Sequence, residues 1–140
     1  FMMASGLNNY GVIAWVSSAI ANSIGGLSWV LALLVLVLVY FYSHYMFASA
    51  TAHISAMYPA FLGAAIVLGA PPLMSALVLA YMSNAFTSLT QYAGGASPAL
   101  FGTGYNSAAQ WWRVSFIASL ASLFCWLVIG GGWMKLIGMW

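Results

Sequence analysis

From Leu27 to Tyr42 the chain runs LSWVLALLVLVLVYFY without a charge, and no other stretch restricts the fold as tightly. Such a run must lie in lipid or inside protein. Its valines would suit a strand, but in lipid a lone strand leaves its backbone polar groups unpaired, so helix is the only sensible assignment. A helix over 27–47 would be roughly 30 Å long at about 1.5 Å per residue, enough to cross the hydrocarbon. The whole chain shares this character: 65% of its residues are hydrophobic, 1% are charged and the mean hydropathy is +1.03. With so few polar groups it cannot cover a water-facing surface, and it reads as an all-α integral membrane protein.

The chain has no Asp or Glu, which removes paired-carboxylate catalysis, Asp-bound magnesium and Asp/Glu proton relays. Arg113 and Lys135 are the only charged residues, too few for a nucleic-acid surface or a polybasic lipid site. No enzyme, metal centre or cofactor is expected. Cys125, inside an apolar run, reads as a small buried residue.

Polar residues are costly in such a chain, and SHYMFASATAHIS, residues 43–55, gathers several of them between two apolar runs. His44, Ser49, Thr51 and His53 form a knot that reads as the turn of a membrane-embedded hairpin spanning 27–70, its tip near 48–53 touching an anionic substrate. In the second arm Ala56, Ala60 and Ala64 give a small-residue face for close helix packing, and Pro59 would loosen or bend the helix. Before the hairpin, residues 1–26 read as the end of an apolar helix and a short amphipathic arm. There Val12, Ile13, Val16, Ala19 and Ile20 recur at helical spacing, and Ser17, Ser18 and Asn22 fall elsewhere. The opening residues suggest the C-terminal part of a longer protein.

Gly69, Ala70, Pro71 and Pro72 mark the next turn. The segment 71–110 then reads as a broken transmembrane helix. Its first half, from Leu73 to about Thr90, puts Asn84, Thr87, Ser88 and Gln91 on one face, either paired with neighbouring helices or lining an aqueous cavity. YAGGASPALFGTGYN, residues 92–106, is a poor helix, and is either a surface loop or irregular backbone exposed to substrate. Residues 111–140 form the last span: Trp111, Trp112 and Arg113 as an interfacial anchor, Val114 to Ile129 as the apolar helix, and a glycine triplet closing it.

SHYMFASATAHISAMYPAF, then LTQYAGGASPALFGTGY and WWRVSF, resemble the C-terminal part of the divalent anion/sodium symporter family. The likeness is to its exchanger branch of citrate/succinate antiporters and 2-oxoglutarate/malate translocators. The resemblance implies one half of an inverted-repeat transporter, with a hairpin and a broken helix in each repeat and a Ser-Asn-Thr motif at each tip. It also implies a missing N-terminal repeat, a homodimer when complete, a bacterial inner-membrane setting, and a di- or tricarboxylate cargo such as malate, succinate, 2-oxoglutarate or citrate. By this likeness Ser49, Ala50, Thr51 and His53 at the tip and Gly94, Gly95, Ala96 and Ser97 at the break bind substrate.

One position and one segment depart from the family pattern. Ala50 replaces the amide-bearing Asn of the tip, and Gly94 to Ser97 replace a Thr-Pro-Pro type sequence. Both changes weigh against sodium coupling and for exchange. His53 then has two readings: a positive charge where other members use sodium, or a packing histidine. The competing functions are a non-transporting membrane subunit or truncated remnant, and a sodium-coupled dicarboxylate symporter.

Overall fold

The computed structural model describes residues 10–23 and 26–139. The expected helix end before Tyr10 and the side chains of Val12, Ile13 and Val16 lie outside the described residues. Seven α-helices and no strand occur among the described residues. Helix α1 is Val12–Ser23, α2 is Trp29–Tyr42, α3 is Ala50–Val67, α4 is Pro72–Ala85, α5 is Ser97–Gly102, α6 is Ala108–Phe124 and α7 is Gly131–Leu136. A 3-10 turn, Ser43–Met46, extends α2, another, Phe86–Ser88, extends α4, and a π turn, Cys125–Gly130, joins α6 to α7. Three helical stretches are long and apolar enough to cross a membrane: Trp29–Met46, Ala50–Val67 and Ala108–Leu136.

The valine-rich run is helical, as its unpaired alternatives require. Residues 47–49 connect α2 to α3. At the other end of α3, Gly69 takes φ 83°, the left-handed conformation that suits glycine. The Ala70 amide donates to Ala65 O and the Gly69 amide to Ile66 O, so the last carbonyls of α3 are paired in a glycine-terminated cap. Pro72 then starts α4, where a missing N–H removes no helical bond.

The core lies between α2, α3 and α4, with Leu36, Val37, Tyr40 and Phe41 meeting Phe61, Ala64, Leu79 and Met82. Helix α1 crosses the second arm where the side chains are small. Ser17 Oγ donates to Ala60 O at 2.8 Å, and a Cβ on Gly63 would come within 2.7 Å of that hydroxyl oxygen. The close approach thus uses Ala60 and Gly63, whereas Ala64 belongs to the core and Ala56 is exposed. Ser17 is buried, so of the arm's four polar residues Ser18, Asn22 and Ser23 are exposed and Ser17 is not.

Two boundaries differ from the sequence reading. The α-helix after Pro72 ends at Ala85 rather than near Thr90, giving way to the 3-10 turn and an irregular stretch over 89–96. The last helix starts earlier and ends later than expected. Ser107 and Gln110 form a reciprocal capping box: the Gln110 amide donates to Ser107 Oγ and the Ser107 amide to Gln110 Oε1. At the far end the helix passes through all three glycines to Leu136. Glycine weakens a helix by about 1 kcal/mol per residue, less than leaving a backbone group unpaired in lipid, so the triplet stays helical.

Gly63→Leu should destabilise the protein by about 1–3 kcal/mol, because Ser17 and α1 must give way. Gly132→Ala, whose added Cβ meets nothing within 4 Å, should stabilise it by about 0.5–1 kcal/mol. Thermal unfolding in detergent should move in opposite directions for the two.

Candidate functional site

The tip of the hairpin exposes unused donors. Ser49 is the N-cap of α3, with extended backbone at φ −145° and ψ 134°, and its hydroxyl makes no capping bond. The first intrahelical bond runs from the His53 amide to Ser49 O at 3.1 Å, leaving the amides of Ala50, Thr51 and Ala52 without intrahelical acceptors. Ser49, Thr51 and Ala52 are exposed and Ala50 is half-buried. One small surface therefore carries three backbone N–H groups, two hydroxyls and the positive end of an 18-residue helix.

His53 does not share that surface. Its ring is fully buried, stacked on Tyr40 and Phe47 with centroids 4.8 and 4.6 Å away, and flanked by Phe86 at 4.6 Å and His44 at 5.3 Å. His53 Nε2 lies 3.0 Å from Ser43 Oγ. His44 is also fully buried, stacked on Phe86 at 4.2 Å, and neither of its ring nitrogens has a hydrogen-bond partner among the described residues.

The break is tied back to the end of the first arm. Tyr92 Oη donates to Tyr45 O at 3.1 Å, and Phe86 covers both histidines. Trp112 Nε1 donates to Gln91 Oε1 at 2.7 Å while its ring lies 5.5 Å from that of Tyr45. Trp112 thus holds the break to the last helix, a connection that the reading of WWR as an anchor missed. Tyr92 and Phe86 were missed too; an aromatic beside a glycine-rich break was the available signal.

At the break, Gly95 and Ala96 are exposed, Gly94 and Ser97 half-buried. Gly94 is held close, since a Cβ there would lie 3.2 Å from Ser97 Oγ and 3.7 Å from Thr87 O. Thr87, Gly94 and Ser97 therefore form one cluster. Asn84, Thr87, Ser88 and Gln91 do not share one straight helical face, because the α-helix stops at Ala85. Thr87 Oγ1 donates to Asn84 O at 2.7 Å and Ser88 Oγ to Ala85 O at 2.9 Å, so both present acceptors only. Gln91 is engaged by Trp112, and Asn84 is exposed.

Three helical stretches long and apolar enough to cross a membrane, with an uncapped, donor-rich tip and an irregular break between them, place the chain among α-helical membrane proteins. The chain belongs to the family described as the sodium:sulfate symporter transmembrane region, which it matches over residues 1–140. It is 52% identical over 139 residues to the putative malate transporter YflS of Bacillus subtilis (strain 168), covering 99% of this chain and 29% of that protein. It is 47% identical over 140 residues to dicarboxylate transporter 1, chloroplastic, of Arabidopsis thaliana, covering 99% and 25%. With the L-tartrate/succinate antiporter of Escherichia coli (strain K12) it shares 35% over 136 residues, covering 96% and 28%. These relatives are transporters, not enzymes, and the chain spans about a quarter of their length. No solved structure matches the chain.

The two histidines should respond oppositely to replacement by an apolar ring. His44→Phe removes two unpartnered nitrogens and should stabilise the protein by an amount on the order of 1 kcal/mol, whereas His53→Phe removes the hydrogen bond between Nε2 and Ser43 Oγ and should destabilise it by about 1 kcal/mol. Thermal unfolding of the two variants decides the matter; a fall with His44→Phe would mean that its nitrogens hold bonds in the folded protein.

Proposed function

We propose that this chain is the C-terminal part of a secondary transporter of di- and tricarboxylates that works by exchange, and that the tip of the hairpin forms one side of its anion site. The observation that carries the proposal is the uncapped start of α3, where Ser49 and Thr51 are exposed and the amides of residues 50–52 have no intrahelical acceptor. A carboxylate offers only acceptors, so it needs this set of donors, and the helix dipole adds a favourable field. Thr51 and Ser49 contact the substrate, Ala50 lets it approach the backbone, and the segment Gly94, Gly95, Ala96 and Ser97 supplies backbone groups from the opposite side. Thr87 and Ser88, acceptors only, suit water or a substrate hydroxyl better than a carboxylate.

Residues 27–70 act as a hairpin and 71–110 as a broken helix within one inverted repeat; the other repeat completes the site, and the complete transporter is a homodimer in a bacterial inner membrane. The names of the relatives support the cargo, since they specify dicarboxylates, malate, and tartrate with succinate, and one is an antiporter. Ala50 supports exchange, because it has no amide with which to build a sodium site at the tip.

Counterflow tests this reading. Vesicles holding the transporter that carries this chain, loaded with unlabelled malate, should take up labelled malate faster than empty vesicles with no sodium present. A strict sodium requirement would turn the reading to symport, and no dicarboxylate uptake at all would overturn it. Ser49→Ala should raise the KM for malate about tenfold, since a hydrogen bond to a charged group contributes about 1.5–3 kcal/mol.

A further inference from the structure

We propose that His53 is a positioning residue for the anion site, held as the neutral Nε2–H tautomer by Ser43, and that this bond fixes the tip donors in place. The inference rests on the transporter reading above and gives His53 a role other than substrate contact.

The hydrogen positions follow from the oxygens. Ser43 Oγ lies 2.9 Å from Tyr40 O, a carbonyl that can only accept, so the single hydroxyl hydrogen of Ser43 is spent there. Toward His53 the same oxygen offers a lone pair, and His53 Nε2 at 3.0 Å must therefore carry a hydrogen. Nδ1 is buried with no partner among the described residues, and no Asp or Glu exists in the chain to balance a charge on the ring. The groups packed on the ring are Tyr40, His44, Phe47 and Phe86, of which only Tyr40 and His44 can titrate. A ring with one used N–H, one bare nitrogen and no counter-charge is neutral. The ring has no accessible surface, so any other partner would first have to displace the side chains that cover it.

The bond also has a place in the architecture. Ser43 opens the 3-10 turn that ends the first arm, and His53 lies one turn into α3, so the contact closes residues 44–52 into a loop that contains the tip. Phe47, within that loop, stacks on the His53 ring. The His53 amide makes the first helical bond, to Ser49 O. The orientation of one imidazole thus sets where α3 begins, and with it the aim of the amides of 50–52 and the hydroxyls of Ser49 and Thr51.

The test is counterflow of labelled malate in proteoliposomes holding the transporter that carries this chain. His53→Asn, too short to reach Ser43, should raise KM about tenfold with Vmax within about twofold, the loss of one well-placed hydrogen bond. His53→Gln carries an amide N–H near the Nε2 position and should restore KM to within about threefold of the parent. Ser43→Ala should match His53→Asn, and the double variant should be no worse than either single one. Equal defects in His53→Gln and His53→Asn, or an unchanged KM in Ser43→Ala, overturn the proposal. The nitrogen NMR signals of the ring in labelled protein give a readout independent of transport. A protonated Nε2 with a bare Nδ1 at neutral pH is expected, and an imidazolium or the opposite tautomer overturns the proposal. Should the parent protein show no carboxylate counterflow, the transporter reading fails, and the NMR result still decides the tautomer.

Discussion

A hydroxyl that donates to a carbonyl three or four residues earlier in its own helix has only lone pairs left for its neighbours, and around the apolar core this asymmetry ties the segments of the chain to one another. Ser43 donates to Tyr40 O and accepts from His53; Ser83 donates to Leu79 O and accepts from Tyr40 Oη; Ser119 donates to Phe116 O and accepts from Tyr42 Oη. Each contact joins two different segments, and each has its direction fixed by the backbone. In a chain with almost no charge these one-way bonds do what ion pairs would do elsewhere, without placing a net charge in lipid. They also leave Tyr40 as a hub, its hydroxyl on Ser83, its carbonyl on Ser43 and its ring on His53.

The same accounting separates the polar residues that hold the fold from those free to meet a ligand. Ser43, Ser83, Thr87, Ser88 and Ser119 have their hydrogens committed. Ser49 and Thr51 do not, and they sit where backbone amides are also unused. Polarity in sequence could not make this distinction, since all of these are hydroxyl residues within apolar runs. It depends on whether the backbone just before the residue is helical: Phe47 and Ser49 are extended, so no helical carbonyl one turn back is aligned to take the Ser49 hydrogen.

What was legible in sequence was what local chemistry dictates. The charge-free run had to be helical, Gly69 to Pro72 had to turn, and the knot at 43–55 had to interrupt two apolar segments. The direction of His53 was not legible. Counting four residues from Ser49 puts both on one helical face, but Ser49 has extended dihedrals and is not in the helix, so the spacing rule does not reach it. The early end of α4 was hidden because Phe86 to Ser88 keep a helical composition while tightening to 3-10 geometry, which turns the four polar residues off one line. The start of α6 was legible and overlooked, for Ser107 and Gln110 have capping-box spacing.

The last helix shows why a breaker signal loses force in this setting. Three consecutive glycines would end most helices in water, where the released backbone finds solvent. Here the stretch Ala108–Leu136 is largely exposed along Val114, Ile117, Phe124 and Ile129, and a released carbonyl would meet only apolar surroundings. The helix instead continues, widening over Cys125–Gly130 into a π turn. That turn sets Trp126 against Tyr81 with ring centroids 4.7 Å apart, and Gly131 is buried beside it. A Cβ on Gly131 or Gly132 would meet nothing within 4 Å, and one on Gly130 would meet only Trp126 and the Cys125 carbonyl of its own helix, so close packing does not require the triplet; Gly131 and Gly132 instead line an apolar groove shared with Trp29, Val30 and Val78.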